Sequence, residues 1–80
     1  MPVFLIEREF AESFDPDDNT LRAIDEYNDN NDLKWITSFL SADKKKSYCL
    51  YEADDADALR KQAADLGVPA DAITQVDQLK

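Results

Sequence analysis

The sequence contains no histidine, one cysteine (Cys49) and one glycine (Gly67). Without histidine it lacks the residue that most often serves as the base beside a serine or cysteine nucleophile. A single cysteine cannot form an intrachain disulfide, and with no imidazole available a structural zinc site is not expected. One glycine cannot build a glycine-rich phosphate loop. These absences argue against hydrolase, zinc-domain and nucleotide-binding functions.

Basic residues are scarce: nine lysines and arginines stand against 18 aspartates and glutamates, a net charge of −9. Nucleic acids and anionic membranes both require a basic surface, so we expect neither as a partner. The apolar run of residues 1–6 meets Glu7 too soon for a signal peptide or a membrane span. We therefore expect a cytoplasmic protein.

The first half of the chain predicts a strand followed by a helix. Residues 3–10 (VFLIEREF) begin apolar and end charged, which is typical of a strand buried at one end. Asp15 is placed to cap a helix whose first position is Pro16. The apolar stripe of that helix consists of Leu21, Ile24 and Tyr27. Residues 28–31 (NDNN) favour turns, and we expect the helix to end there.

The second half predicts a hairpin and a second helix. Residues 33–41 and 47–53 are rich in β-branched and aromatic side chains, and the lysines between them mark a turn. A helix begins at Asp54 or Asp55 and ends at Gly67, the residue type most often found just after a helix C-terminus.

A final strand at residues 72–79 completes the order β-α-β-β-α-β, which predicts a single ferredoxin-like α+β domain over residues 1–80. Both helices must cover one face of a four-stranded antiparallel sheet, leaving the other face open. A chain this short buries a limited core, and an open apolar sheet face exceeds what a monomer usually exposes. We expect a homodimer or higher homo-oligomer formed through the open face.

Glu7 and Glu9 are candidate metal ligands, because side chains two apart on a strand leave the same face. Val3 and Leu5 precede them on that face and predict that the glutamates turn towards the interior. The alternative is a solvated strand end, with Arg8 on the opposite face in an ordinary ion pair.

The hairpin carries the candidate pocket or interface residues Trp35, Phe39, Tyr48, Cys49 and Tyr51. A two-residue turn would pair Phe39 with Leu50, whereas a three-residue turn would pair Phe39 with Tyr51 and put Cys49 on the Trp35 face. Slipping by one residue exchanges the two faces, and the sequence leaves both registers open. Cys49 has no histidine to activate it and is expected to be an inert, small apolar residue.

Three segments together resemble a known family. Residues 2–9 (PVFLIERE), 35–52 (WITSFLSADKKKSYCLYE) and 60–76 (RKQAADLGVPADAITQV) are similar to the small nickel-binding ferredoxin-like proteins known as domain of unknown function 4242. The chain differs from this family at Gln62, where the family usually has a histidine. The resemblance covers most of the chain outside the first helix.

The resemblance implies a dimeric α/β-barrel type of fold and a binding protein for a divalent metal, nickel in the family. With no imidazole present, the implied donors are the carboxylates of Glu7, Glu9 and Glu52, and Arg60 also matches the family pattern as a pocket or interface residue. The alternative implied by the wider superfamily is a cofactor-free monooxygenase or isomerase acting on a small organic molecule. Of the two, the non-enzymatic function is preferred.

Overall fold

The computed structural model describes residues 1–79 and contains four strands and two helices in the predicted order. The elements are β1 (Val3–Glu9), α1 (Asp18–Asn30), β2 (Lys34–Leu40), β3 (Lys46–Glu52), α2 (Ala56–Leu66) and β4 (Ala72–Val76). The strands form one antiparallel sheet in the order β2-β3-β1-β4. This is the ferredoxin-like α+β fold that the sequence predicts.

The two faces of the sheet differ in what covers them. Phe4, Ile6 and Arg8 alternate along β1 on the face that the helices cover, and all three are buried. Glu7 and Glu9 point from the opposite, open face and are exposed. The prediction that Val3 and Leu5 draw the glutamates inwards is therefore wrong, because the helices pack on the even-numbered side of β1. The buried core is Phe4, Ile6, Leu33, Cys49, Tyr51, Ala53 and Leu59.

Helix α1 begins later than its sequence indicates. Its N-cap is Asp17, whose carboxylate accepts a hydrogen bond from the Thr20 N–H at 2.8 Å, and not Asp15. The Phe14 N–H donates to the Lys44 carbonyl, and the Asp15 carboxylate lies 3.3 Å from Lys44 Nζ. Because these contacts hold the chain along the β2–β3 turn, the helix cannot start until Asp17.

The C-terminal end of α1 lies within residues 28–31, as predicted. The last helical residue is Asn30, and Asn31 is the C-cap. Asn28 is buried, although its residue type favours helix ends. Tertiary hydrogen bonds to its side-chain amide outweigh that weak local preference.

Helix α2 follows the sequence prediction. Asp55 is the N-cap and accepts from the Ala58 N–H at 2.9 Å. Gly67 ends the helix in the left-handed region at φ 70°, where glycine has no Cβ to strain. Leu59 and Ala63 are buried against the sheet, as the apolar stripe of this helix requires.

The β2–β3 hairpin has neither of the two predicted registers. Phe39 pairs with Tyr48 and Ser38 with Cys49, because the turn is longer than three residues. The Asp43 carboxylate organises this turn by accepting from the Lys45 N–H and the Ser41 hydroxyl. These bonds explain why the register is displaced.

An irregularity in β2 between Trp35 and Thr37 then reverses the orientation of the strand's first residues. One extra residue in β2 brings Trp35 opposite Tyr51, on the helix-covered face. Cys49 occupies the same face as Trp35, but through this bulge and not through a three-residue turn. Phe39 and Tyr48 lie on the open face.

No helix among residues 1–79 has the length and apolar character needed to cross a membrane. The open face of the sheet nevertheless exposes apolar side chains. Phe39 is 64% exposed, and Leu5, Tyr48 and Leu50 are half-buried. The open face is thus the broadest uncovered apolar surface that the strands present.

Replacing the helix cap tests where α1 begins. We expect Asp17→Ala to lower the free energy of unfolding by about 1 kcal/mol, because the Thr20 N–H loses its acceptor. Asp15→Ala is the matched control and should change stability by less than about 0.5 kcal/mol, since it removes an exposed ion pair. Urea unfolding followed by circular dichroism measures both. Equal effects of the two substitutions would contradict Asp17 as the cap.

Candidate functional site

A cavity of about 420 Å³ lies between the helix-covered face of the sheet, helix α1 and the segment that joins β1 to α1. That segment, residues 10–16, is held in place at the hairpin turn. The Phe10 and Phe14 N–H groups donate to the carbonyls of Lys45 and Lys44, each at 2.7 Å. The two phenyl rings stack with centroids 4.5 Å apart. The segment therefore forms a fixed wall of the cavity.

Apolar side chains make up most of the cavity surface. Those from the 10–16 segment, the helices and the residues after α2 are Phe10, Phe14, Pro16, Leu21, Ile24, Leu66 and Val68. The sheet contributes residues 35–40 of the edge strand β2 and, from β1 and β3, Arg8, Ser47, Cys49 and Tyr51. A volume in the range of ligand pockets, lined by apolar groups and a few convergent polar ones, is typical of a small-molecule site.

Arg8 is the charged group of this cavity wall and is 6% exposed. Its two terminal nitrogens donate to the Pro69 carbonyl at 2.6 Å and to Gln62 Oε1 at 3.0 Å. Both acceptors are neutral. Among residues 1–79, no carboxylate lies within ion-pair distance of the guanidinium. Arginine keeps its charge in proteins, so the fold carries the desolvation cost of a buried cation without a compensating anion.

A chain of hydrogen bonds continues from Arg8 through the core. Gln62 is fully buried, accepts from Arg8 and donates through Nε2 to Asn28 Oδ1 at 2.7 Å. Asn28 Nδ2 then donates to the Tyr51 hydroxyl at 3.2 Å. Each amide uses its oxygen as acceptor and its nitrogen as donor, so the bonds run in one direction. This series of hydrogen bonds connects β1, α2, α1 and β3.

Tyr51 ends this chain beside the cavity. Burial raises the pKa of its phenol above the usual value of 10.0, and hydrogen bonds from Asn28 and Gln62 oppose that shift. The phenol therefore stays neutral at physiological pH. Its ring lies nearly parallel to that of Trp35, with centroids 6.1 Å apart. The cavity thus contains an aromatic wall, a fixed cation and a neutral hydroxyl.

The residues predicted for a pocket or interface separate into groups. Trp35, Cys49 and Tyr51 line the cavity from the helix-covered face. Phe39 borders the cavity only as part of the edge strand β2, since it pairs with Tyr48 on the open face and is 64% exposed. Tyr48 lies on the open face opposite Glu7. Arg60 is exposed on α2 and pairs with Asp57 one helical turn away, outside the cavity.

The predicted metal ligands are on one face but are not brought together. Glu7 lies opposite Tyr48, whereas Glu52 lies opposite Val3, about 13 Å further along the strand at the usual rise per residue. Glu9 lies 3.4 Å from Lys46 Nζ, and Glu52 lies 3.8 Å from Lys34 Nζ. In the part of the chain that the structure describes, no three histidine, cysteine or acidic side chains are grouped as a metal ion requires.

Comparison with known proteins places the chain in a family. The family model described as nickel responsive protein, SCO4226-like, matches residues 4–76. The chain belongs to this family. No curated protein matches the chain in sequence.

The crystal structure of SCO4226 from Streptomyces coelicolor A3(2) is similar in fold to this SCO4226-like chain. It superposes with a TM-score of 0.80 at 18% sequence identity, covering 98% of this chain and 99% of that one. The donor groups available here do not match the nitrogen ligands that nickel prefers, because the chain has no histidine.

Sequence reasoning missed the buried polar residues Arg8, Gln62 and Asn28. The sequence marks Gln62 only as a difference from a family pattern and Asn28 only as part of a turn-favouring segment. One signal was available for Arg8, since it continues the two-residue period of Phe4 and Ile6. Both faces of this strand begin apolar, so the period alone did not show which face the helices would cover.

The raised pKa of Tyr51 predicts an alkaline loss of stability. The unfolded chain ionises near pH 10, before the folded phenol does, so the free energy of unfolding falls as pH rises above about 10. We expect this fall to be smaller in Tyr51→Phe than in the wild type. Urea unfolding of each protein at about pH 8 and about pH 10.5 measures the fall in its free energy of unfolding. Because the two pH values are compared within one protein, the stability that Tyr51→Phe loses with the Asn28 hydrogen bond cancels. An equal fall in both proteins would show that Tyr51 is not the source of the alkaline loss of stability.

Proposed function

We propose that this SCO4226-like chain is a binding protein whose ligand, a small organic molecule, occupies the cavity between the sheet and α1. The observation that carries the proposal is the cavity itself, at about 420 Å³ with stacked aromatic walls and a buried arginine. Phe4, Ile6 and Leu59 fill the core beside it and do not close it.

Binding without catalysis fits the polar groups of the cavity. A guanidinium does not act as a base in proteins, and burial raises the pKa of the Tyr51 phenol, so neither polar group accepts a proton from a ligand at neutral pH. The Cys49 sulfur lies 3.9 Å from the Ser47 hydroxyl, with no imidazole in the sequence to activate it. These groups orient a ligand by hydrogen bonding and are poorly suited to removing a proton from it.

Filling the cavity tests the proposal. We expect NMR screening with small aromatic and aliphatic compounds to give ligands that shift the signals of Trp35 and Leu21, two residues of the cavity wall. Ile24→Trp should abolish these shifts, because Ile24 lines the cavity. At about ten times the Kd, a ligand should add about 1.4 kcal/mol of stability and raise Tm by roughly 6–11 °C.

Ala23→Trp is the matched control, since Ala23 is the exposed neighbour of Ile24 on the same helix. This variant should bind as the wild type does. If a ligand shifts only the NMR signals of residues on the open face, or if Ile24→Trp leaves the ligand-induced shifts unchanged, the cavity is rejected as the binding site.

A second candidate function is divalent metal binding by a homodimer, favoured by the nickel-responsive family and by the acidic surface around Glu7. Glu7, Glu9 and Asp71 border one depression of about 230 Å³, which Arg8 and Lys46 also line. A single chain does not group three donors, so the proposed site takes its remaining oxygen, such as that of Glu52, from a second copy. The exposed Phe39 and half-buried Leu5 on the same face supply an apolar contact between the copies. A cation would also offset the repulsion between two chains of charge −9.

Native mass spectrometry with and without nickel tests this second function. We expect a dimer that takes up a small fixed number of ions, and lower uptake by Glu7→Gln. Glu12→Gln, an exposed acid in the 10–16 segment, is the control and should retain uptake. Equal uptake of magnesium and nickel, or unchanged uptake by Glu7→Gln, would count against a specific site.

A further inference from the structure

The cation of the cavity stands out from the other basic residues of the chain. Five basic side chains form ion pairs with carboxylates: Lys34, Lys44, Lys46, Arg60 and Lys61. Arg8 is buried, where an unpaired charge is most costly, yet it has only neutral acceptors within residues 1–79. The sequence has twice as many acidic as basic residues, so carboxylates are abundant elsewhere in this chain.

The guanidinium also retains capacity for further hydrogen bonds. It has five N–H donors, and its bonds to Pro69 and Gln62 engage one on each terminal nitrogen. Those two bonds fix the orientation of the planar group in advance. Arg8 lines the cavity, so a ligand bound there lies next to this side chain. A fixed planar fork of this kind suits the two oxygens of a carboxylate.

Ser47 provides a second donor next to Arg8. The two residues are paired directly across β1 and β3, so their side chains are neighbours on the helix-covered face. Ser47 is buried, lines the cavity and accepts from the Cys49 thiol through its Oγ. Its own O–H is therefore available to an oxygen acceptor that also contacts Arg8.

We propose that the ligand of this cavity is a small organic monocarboxylate with an apolar body, an inference that rests on the proposed binding function. The carboxylate contacts the Arg8 guanidinium and the Ser47 hydroxyl. The apolar body packs against Phe14, Leu21 and Ile24. A single negative charge fits one buried arginine, whereas the net charge of −9 repels polyanions such as nucleotides.

Phenylacetate and its neutral analogue phenylacetamide are the probes that separate charge from shape. Isothermal titration of the wild type should give one phenylacetate per chain and at least tenfold weaker binding of phenylacetamide. Trp35, the one tryptophan, lines the cavity and should change its fluorescence with phenylacetate. Arg8→Gln should abolish the preference for the acid. Arg60→Gln, which removes an exposed arginine paired with Asp57, should retain it.

Two measurements keep the test decisive if Arg8→Gln does not fold. Ser47→Ala should weaken the binding of phenylacetate more than that of phenylacetamide, because the substitution removes one hydroxyl donor and leaves the Arg8 guanidinium in place. In the wild type, phenylacetate but not phenylacetamide should shift the Arg8 Nε–H signal in ¹⁵N-resolved NMR.

The possible results distinguish this inference from the function on which it rests. Equal binding of the acid and the amide, unaffected by Arg8→Gln, would overturn the carboxylate inference and leave the cavity as a binding site. Binding of inorganic phosphate as tight as that of phenylacetate would overturn the requirement for an apolar body. Failure of both probes at millimolar concentration overturns the inference, and failure of the wider compound screen as well rejects the cavity function.

Discussion

The rest of the structure depends on one constraint, the positive charge of Arg8 beneath the helices. A buried guanidinium needs polar partners, and neighbouring elements supply them: Pro69 after α2, Gln62 within it, and Asn28 of α1 one step further. The same chain of bonds ends on Tyr51 in the sheet. Because each amide donates and accepts in a fixed direction, the two helices are held at one position relative to β1 and β3. No buried side-chain nitrogen or oxygen in residues 1–79 is left without a partner.

The cavity lies where helix α1 packs loosely on the sheet: near its C-terminus the helix contacts the core through Tyr27 and Asn28, and the turns before them leave space. Its buried residue is Asn28, while Leu21 remains exposed and Ile24 half-buried at the cavity wall. The bulge in β2 adds the opposite wall by turning Trp35 onto Tyr51. Bonds between the 10–16 segment and the hairpin turn fix one wall of the cavity. A single arrangement thus gives a fixed cation, aromatic surfaces and open volume.

Most of the fold could be predicted from the sequence, but much less of the site. The order of elements, the cap and stop of α2, and the one-sided placement of the helices follow from local preferences and periodicity. The acidic residues Glu7, Glu9 and Glu52 suggest a set of metal ligands in the sequence, yet the sheet separates Glu52 from the other two. Gln62 and Asn28 have no local pattern that marks them, and the two-residue period that includes Arg8 does not show which face is covered. Each of the three acquires its role from a residue distant in the chain.

The sequence by itself determined the class of fold and the large excess of negative charge, since both depend on composition and on short-range periodicity. Only the tertiary structure decided which face of β1 is covered, in which register β2 meets β3, and that Asp17 caps α1. The physical reason is the same in each case. The competing local arrangements differ little in free energy, and contacts between distant segments, such as Phe14 with Lys44 and Arg8 with Gln62, select one of them.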